Sequence, residues 1–210
     1  MNPFFKTLSE RYPVLADAMN DVELAFDLLC GCYDSGGKLL LCGNGGSAAD
    51  CAHIVGELMK GFLSQRKLTK DDRAFFEDMD EATRRLPDKL QNGLPAISLC
   101  SEQSLLSAYA NDVDPAMVFA QQVWVYGQNS PDLLLALSTS GNAENVVQAV
   151  RTANALGIDT VGITGADGGK LADLCTVCIR LPETETYKAQ ELTLPVYHAL
   201  CAALEAHYFS

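Results

Sequence analysis

Basic residues are scarce in this chain. Fifteen Lys and Arg residues stand against 27 Asp and Glu residues, which gives a formal net charge of -12 at pH 7. Surfaces that bind nucleic acid need clustered Lys and Arg side chains, so this composition argues against a nucleic-acid partner. It leaves room for a phosphorylated small molecule, because backbone amides and hydroxyl groups can bind a phosphate locally.

Long apolar runs are also missing. No uncharged apolar stretch reaches the roughly 18 residues that a membrane-spanning helix needs, so we expect no membrane span. The first residues lack a basic segment followed by an apolar one, so we expect no secretory signal peptide and a cytoplasmic location. With 210 residues, of which 48% are hydrophobic, the chain is long enough for one sizeable α/β domain, which we expect to span residues 1–210.

The eight cysteines lie mostly inside apolar segments, which is typical of reduced thiols in a cytosolic protein. One pair, Cys175 and Cys178, has the Cys-x-x-Cys spacing that can bind zinc or carry out redox chemistry. Here the pair lies within a predicted strand, and no second pair accompanies it. We therefore interpret these cysteines as core packing.

Two segments of the chain share the same local design. Residues 38–42 and 132–137 are apolar runs of the kind that form buried strands of a parallel sheet. Each run leads into a turn rich in glycine and hydroxyl groups, at residues 43–47 and 138–142, and then into a helical stretch. Free backbone N–H groups and the positive end of the helix dipole suit such a turn to an anion. The pattern predicts a phosphorylated small molecule at the carboxyl edge of the sheet.

Strands and helices alternate along the sequence, which predicts an α/β fold with a doubly wound parallel sheet and helices on both faces. The predicted strands are 38–42, 94–100, 132–137, 158–164 and 176–181. The predicted helices are 4–35 with a break at Pro13, 47–60, 102–110, 115–126, 143–156, 170–174 and 186–209.

Residues 64–92 differ in composition from the rest of the chain, because they are rich in charged side chains. Phe75, Phe76, Met79 and Leu86 recur at helical spacing, so one helical face could bury them. We expect a helical insertion that packs near the mouth of the site or at a subunit boundary. A solvated acidic hairpin without a functional role is the alternative.

Each glycine-rich or hydroxyl-rich turn has other interpretations. Residues 43–48 also fit the G-x-G-x-x-A pattern of a dinucleotide-binding turn, or a purely structural tight turn. The dinucleotide pattern requires a second strand that ends in an acidic residue about 20 positions on, and none is predicted there. Ser138, Thr139 and Ser140 could merely cap a helix, although one hydroxyl suffices for a cap and three can bind several phosphate oxygens.

Histidine is rare, with three residues in the chain. His53 and Glu57 lie four residues apart, hence on one face of the predicted helix 47–60, whose apolar neighbours predict that it is well buried. Gln190 and His198 lie eight residues apart in the last helix. Two imidazoles, a carboxylate and an amide oxygen would suit a divalent metal. Spacing alone does not show that the two helices meet, so ordinary core and surface hydrogen bonds remain the alternative.

At these residues the chain resembles the sugar isomerase (SIS) domain family, and within it the phosphoheptose isomerases. The resemblance runs from about residue 15 to 208 apart from the insertion, and its most specific stretches are 42–47, 50–57, 110–112, 137–142 and 164–169. It implies the SIS fold with a flavodoxin-like sheet. It also implies an aldose–ketose isomerase that acts on sedoheptulose 7-phosphate, or a related sugar phosphate, through a metal-assisted enediolate mechanism.

The resemblance further implies roles for individual residues. The family's divalent metal, usually zinc, is held by four side chains that match His53, Glu57, Gln190 and His198. Its two proton-transfer residues correspond to Glu57 and His198. The implied sugar-phosphate pocket comprises Asn44, Gly45, Gly46, Ser47, Asn111, Asp112, Ser138, Thr139, Ser140 and Gln190. A homotetramer with active sites at subunit boundaries is implied as well.

The chain departs from the family pattern at several positions. Ala143, Tyr187 and Thr193 stand where the family has a hydroxyl, an acidic residue and a histidine. The basic residue that the family has shortly after the Glu is displaced or absent, with Lys60, Gly61 and Phe62 in its place. Two rival functions stay open: a non-catalytic SIS protein that binds sugar phosphate or a partner such as a replication initiator, and a lyase or etherase-type SIS enzyme. Initiator-binding relatives lack the Glu at position 57, so its presence favours an enzyme.

Overall fold

The computed structural model describes residues 2–128 and 131–209; residues 1, 129, 130 and 210 of the predicted 1–210 domain lie outside it. In chain order, the helices and strands of the described residues are α1 (Pro3–Arg11), α2 (Met19–Asp34), β1 (Leu39–Gly43), α3 (Gly46–Met59), α4 (Lys70–Ala74), α5 (Glu81–Arg84), β2 (Ala96–Ser98), α6 (Gln103–Asp112), α7 (Val118–Tyr126), β3 (Leu133–Leu137), α8 (Glu144–Ala155), β4 (Asp159–Thr164), α9 (Gly169–Leu174), β5 (Val177–Arg180) and α10 (Thr186–Phe209). The break expected at Pro13 is a 3-10 helix, Pro13–Ala18, between α1 and α2.

The described strands form a five-stranded parallel sheet in the order β2-β1-β3-β4-β5. The predicted doubly wound parallel sheet is confirmed. β1 pairs with β2 on one side and with β3 on the other, so the direction of winding reverses there, and ligands of such sheets bind at the carboxyl ends of the strands at this reversal. Gly43 pairs with Leu137, so the turns that follow β1 and β3 start side by side.

Alternate residues of β1 point into two separate cores. Leu39 and Leu41 belong to the core that also contains residues of α1, α2, α3 and α10. Leu40 and Cys42 belong to the core that contains residues of α7 and α8. Every residue of β1 and β3 is therefore buried, which explains why both strands are continuous apolar runs in the sequence.

Within the described residues, none of the helices combines the length and apolar composition that a membrane crossing requires.

The segment 64–92 contains two short helices, α4 and α5, instead of one long one. The Asp80 side chain accepts hydrogen bonds from the amides of Ala82 and Thr83, which starts a new helix there. The predicted apolar face is not buried within this chain, where Phe75 is 79% exposed and Met79 is 53% exposed. The physical reason is that α4 ends at Ala74, so Phe75 and Met79 lie in the turn between α4 and α5 and not on one helical face.

Candidate active site

A pair of amide side chains joins the turns that follow β1 and β3. Nδ2 of Asn44 donates to Oδ1 of Asn145, and Nδ2 of Asn145 donates to Oδ1 of Asn44, each at 2.9 Å. Asn44 lies in the first turn, whereas Asn145 lies at the start of α8. The reciprocal contact holds the N-terminal ends of α3 and α8 next to each other, where their positive dipole ends favour an anion.

The first turn leads into α3 without a side-chain cap. Gly45 has φ 56°, and α3 begins at Gly46 with no side-chain hydrogen bond at its N-cap. A methyl group at Gly46 would lie 2.6 Å from Nε2 of Gln190, so the Gln190 side chain from α10 lies directly against this turn. Ser47 is buried, and its amide donates to the Asn44 carbonyl at 3.0 Å. The structure therefore brings together five of the residues predicted to bind substrate.

The second turn is fixed by backbone contacts. The amide of Gly165 donates to the carbonyl of Thr139 at 2.9 Å, and the amide of Gly141 donates to the carbonyl of Ser138 at 2.8 Å. Gly141 has φ 64°, and a methyl group there would lie 1.9 Å from the carbonyl oxygen of Gly168. Only glycine fits at this position, because both the conformation and the space exclude a side chain.

The hydroxyl groups of the second turn do not cap the helix that follows. α8 begins at Glu144, and its N-cap residue Ala143 makes no side-chain cap hydrogen bond. Oγ of Ser140 accepts a hydrogen bond from the amide of Asn142 at 3.2 Å, which closes the turn itself. Ser138 is buried at the base of the turn, and Thr139 is half-buried. Helix capping therefore does not account for the three hydroxyls.

Glu57, His53 and His198 form one cluster between α3 and α10. Oε1 of Glu57 lies 3.1 Å from Nε2 of His53, and the imidazole centroids of His53 and His198 are 5.0 Å apart. Only one face of α3 is buried, and the His53 side chain is 43% exposed while that of Glu57 is 13% exposed. The prediction that this helix is well buried is wrong at His53, because its ring lies on the face of α3 directed at α10 and solvent.

His198 is set up as a neutral imidazole. Burial lowers its pKa, and the neighbouring His53 lowers it further, whereas Glu57 opposes the shift. Nε2 of His198 is buried and has no hydrogen-bond partner among the described residues. Phe62 packs against the same ring, with centroids 5.4 Å apart. A buried, unpartnered ring nitrogen next to a carboxylate can bind a ligand or move a proton.

The chemistry of this donor set fits a divalent metal. The unpartnered Nε2 of His198 and the carboxylate of Glu57 both belong to the cluster, and imidazole and carboxylate groups are ordinary zinc ligands. Nζ of Lys60 lies 3.1 Å from Oε2 of Glu57, so a cation already faces the second carboxylate oxygen. Among residues 2–128 and 131–209, no group of three or more His, Cys, Asp and Glu side chains is arranged as a metal site.

A buried ion pair closes the C-terminal end of α3. Arg66 is 2% exposed, and its Nε donates to Oε1 of Glu205 at 2.8 Å. The same guanidinium donates to the backbone carbonyls of Glu57, at 2.9 Å, and Leu58. Burial alone would raise the pKa of Glu205, but the amides of residues 62–64 and Arg66 hold it below its usual value. The pair thus fixes the backbone that carries Glu57.

Two predicted pocket residues make no polar contact with the turns in the described part of this chain. Asn111 and Asp112 end α6, and both are exposed. Nδ2 of Asn111 donates to Oδ1 of Asp112 at 2.8 Å, and among the described residues no hydrogen bond or ion pair connects either residue to the turns.

The residues that depart from the family pattern have ordinary environments. Oγ1 of the buried Thr193 donates to the carbonyl of Ala189 at 3.0 Å, within α10. The side chain of Tyr187 is exposed. Neither residue contacts Glu57 or His198 through a hydrogen bond in the described residues, so the cluster of Glu57 and His198 is built without them.

The Cys-x-x-Cys pair packs against β4. A methyl group at Gly162 would lie 3.1 Å from Sγ of Cys175 and 3.3 Å from Sγ of Cys178. Burial raises the pKa of both thiols, that of Cys175 to about 12, which agrees with a packing role. Cys100 differs, because a hydrogen bond from Cys51 lowers its pKa to about 7, although burial opposes the shift.

Four residues of this region were not predicted from the sequence: Asp50, Arg66, Asn145 and Tyr197. They contact the site through pairings with residues between 9 and 147 positions away in the chain. No spacing rule reaches so far. The one available indication was the hydroxyl of Tyr197 among the apolar residues in the second half of α10.

Comparison with known protein families matches the SIS domain over residues 128–203, and a second SIS domain profile over residues 4–91 and 86–165. A phosphoheptose isomerase from Rhodospirillum rubrum is 34% identical over 202 residues, which cover 96% of this chain and 94% of that protein.

Solved structures give the same result. A phosphoheptose isomerase from Francisella tularensis superposes with a TM-score of 0.76 at 26% identity, covering 98% of this chain and 96% of that one. The corresponding enzyme from Neisseria gonorrhoeae has a TM-score of 0.69 at 28% identity, covering 95% of this chain and 98% of that one. The chain therefore belongs to the SIS domain family, among the phosphoheptose isomerases.

Proposed function

We propose that this protein is a phosphosugar isomerase that interconverts sedoheptulose 7-phosphate, or a closely related ketose phosphate, and the corresponding aldose phosphate. The observation that carries the proposal is the cluster of the Glu57 carboxylate with the His198 imidazole. This cluster lies beside two helix-opening turns, since Gln190 of α10 lies against Gly46.

Aldose–ketose isomerisation moves one proton between two adjacent carbons and one between their oxygens. Glu57 would remove the carbon-bound proton next to the carbonyl, because its carboxylate is largely shielded and its backbone is fixed by Arg66. His198, held neutral by burial, would carry the second proton transfer to the resulting enediolate. In this proposal Glu57 acts as the base, and His198 carries the second proton transfer.

The turns would hold the end of the sugar that does not react. Ser47, Ser138, Thr139 and Ser140, with the amides that open α3 and α8, would bind the phosphate, and Asn44, Gly45 and Gly46 would lie beside the sugar chain. Asn111 and Asp112 would join the pocket from another subunit. Phosphate binding away from the reacting carbons positions them next to Glu57 and His198.

We also propose that His53, Glu57, Gln190 and His198 hold a divalent metal, with zinc favoured by the two imidazoles. When bound, the ion would polarise the sugar carbonyl and stabilise negative charge that develops on its oxygen. Elemental analysis of protein purified without chelator should show near-stoichiometric metal, and the amount should fall sharply in His53→Ala. His207→Ala, which changes an exposed histidine near the end of α10, is the control, and metal-free protein with full activity would contradict the proposal.

Assembly and location are further parts of the proposal. Eight free thiols are typical of a reducing compartment, which supports a cytoplasmic location. Exposed apolar side chains directly after α6 and on α7, among them Val113, Trp124 and Val125, support a homotetramer with sites at subunit boundaries. In such an assembly the exposed Phe75 and Met79 would let the 64–92 insertion of the single domain contact a neighbouring subunit.

The first test is turnover. Purified protein should convert sedoheptulose 7-phosphate faster than the other members of a panel of sugar phosphates with five to seven carbons. Glu57→Gln should retain substrate binding and lose about 1,000-fold or more in kcat, because it can no longer take up the proton. Metal content is measured in the same sample, since Glu57 is also a proposed ligand.

The exposed Glu10→Gln on α1 is the matched control and should behave as wild type. Unchanged turnover in Glu57→Gln would remove Glu57 from the catalytic role. Absence of conversion for the whole panel in metal-loaded wild type would favour a non-catalytic SIS protein.

A further inference from the structure

The buried hydroxyl of Tyr197 lies between a carboxylate and an imidazole. Tyr197 is 1% exposed, and its OH is 2.9 Å from Nδ1 of His53 and 3.3 Å from Oδ1 of Asp50. Asp50 and His53 are three residues apart on α3, so both face Tyr197 on α10. The three groups form a chain of hydrogen bonds that ends at the ring whose other nitrogen faces Glu57.

The proton of the Tyr197 hydroxyl sets the direction of this chain. An ionised carboxylate only accepts hydrogen bonds, so the contact between Tyr197 and Asp50 uses the single hydroxyl proton of the tyrosine. With the proton there, the contact at 2.9 Å is a hydrogen bond only if Nδ1 of His53 carries a proton and donates it. The opposite assignment, in which the hydroxyl donates to Nδ1 and Nε2 donates to Glu57, leaves the contact with Asp50 without a proton.

We propose that Asp50 and Tyr197 are positioning residues that hold His53 in the tautomer with the proton on Nδ1. This leaves the lone pair of Nε2 directed at Oε1 of Glu57, 3.1 Å away. Two acceptors at this distance repel each other unless a proton or a cation lies between them. This inference rests on the proposed function, because the proposed metal site would supply a cation between Nε2 of His53 and Glu57.

The ring of Tyr197 provides packing, whereas its hydroxyl provides the hydrogen bond to His53. The Tyr197 ring contacts both imidazoles edge to face, with its centroid 5.5 Å from that of His53 and 5.0 Å from that of His198. A phenylalanine would preserve these ring contacts and would remove only the hydroxyl. Tyr197→Phe therefore separates orientation through the hydrogen bond from support through packing.

The matched control is Tyr208→Phe on the same helix. The OH of Tyr208 also donates to an aspartate, Oδ1 of Asp34, at 2.8 Å. It lies away from the candidate site, beside α2. Both variants lose one tyrosine–aspartate hydrogen bond from α10, so a general loss of stability affects both, and an effect on His53 is confined to Tyr197→Phe.

The experiment reads the tautomer from the ¹⁵N chemical shifts of the histidine rings in metal-free protein, at about pH 8, above the ordinary histidine pKa of about 6.5. Signals are assigned with His53→Gln. Wild type and Tyr208→Phe should show His53 with the proton on Nδ1. Tyr197→Phe should show a mixture of tautomers and, in titrations with Co²⁺ alone, about 10- to 100-fold weaker binding.

Asp50→Ala gives a second measurement that does not depend on the folding of Tyr197→Phe. Without an acceptor at position 50, the Tyr197 hydroxyl is free to donate to Nδ1, so the proton of His53 should move to Nε2. A wild-type His53 with its proton on Nε2, or variants at Tyr197 and Asp50 that keep the wild-type tautomer, would overturn the inference. Because the tautomer is read without metal or substrate, failure of the isomerase assay and failure of this inference are distinguishable.

Discussion

The turns after β1 and β3 follow the same sequence design but are held in place differently. The second turn is fixed by backbone: Gly141 lies so close to Gly168 that a methyl group would approach its carbonyl oxygen to 1.9 Å. The first turn is open around Gly45, where a methyl group would meet no atom within 4 Å. Besides the backbone hydrogen bond from Ser47 to Asn44, side chains from other helices meet this turn: Asn145 of α8 pairs with Asn44, and Gln190 of α10 lies against Gly46.

This difference indicates that the two turns have different functions in the proposed site. A turn fixed by its own backbone offers a rigid set of amides and hydroxyls, which suits the proposed phosphate site. A turn held by side chains from α8 and α10 is linked to the helix that carries His198, so its geometry depends on the proposed catalytic cluster. Substitutions that break the backbone contact, the hydroxyls and the amide pair should therefore have different effects.

The largest effect is expected for Gly141→Ala. The added methyl group collides with the Gly168 carbonyl and also disfavours the positive φ, so we expect a loss of about 3 kcal/mol or more in the free energy of unfolding. Urea unfolding measures this loss. Gly36→Ala is the control, because Gly36 has φ 78° with open space around it and should lose only about 1–2 kcal/mol. Equal losses would show that the close contact with Gly168 does not matter.

The next effect is expected for Ser138→Ala combined with Ser140→Ala. If these hydroxyls bind the phosphate, KM should rise about 100-fold, since each hydrogen bond to a charged group contributes about 1.5–3 kcal/mol. Inorganic phosphate should compete with substrate in wild type and weakly in the variant. The turn bond of Ser140 to Asn142 should cost about 1 kcal/mol of stability when lost. Unchanged KM with this loss of stability would leave the hydroxyls a purely structural role.

The smallest effect is expected for Asn145→Ala. The Asn44 side chain loses its partner and the first turn loosens, so we expect a rise of about 3- to 10-fold in KM and a loss of about 1 kcal/mol in stability. Asn154→Ala on the same helix removes a hydrogen bond from Nδ2 to the Leu174 carbonyl and should cost similar stability with unchanged KM. If both variants change KM alike, the amide pair has no specific role in binding.

Much of the fold could be predicted from the sequence because its signals are local. The apolar runs of β1 and β3 are buried on both faces, and a glycine-rich turn marks the end of the first, so periodicity and turn chemistry were sufficient. The pairing of His53 with Glu57 also follows from helix geometry alone. These elements are predictable because each depends on residues within a few positions.

The remaining features depend on contacts between distant segments. The Asp50 and Tyr197 hydrogen bond joins residues 147 positions apart, and the Arg66 and Glu205 pair joins residues 139 apart. No periodic pattern encodes such partners. In the insertion the apolar residues recur at helical spacing, yet α4 ends at Ala74 and leaves Phe75 exposed within this chain.

The central claim is that Glu57 and His198 move a carbon-bound proton of a heptose phosphate. The most direct measurement is incubation of the metal-loaded protein with sedoheptulose 7-phosphate in D₂O, with NMR and mass spectrometry of the sugar phosphates at equilibrium. The account predicts conversion to the aldose phosphate with deuterium at the carbon next to the carbonyl, and none with Glu57→Gln. Conversion without any deuterium incorporation, or undiminished incorporation in Glu57→Gln, would contradict it.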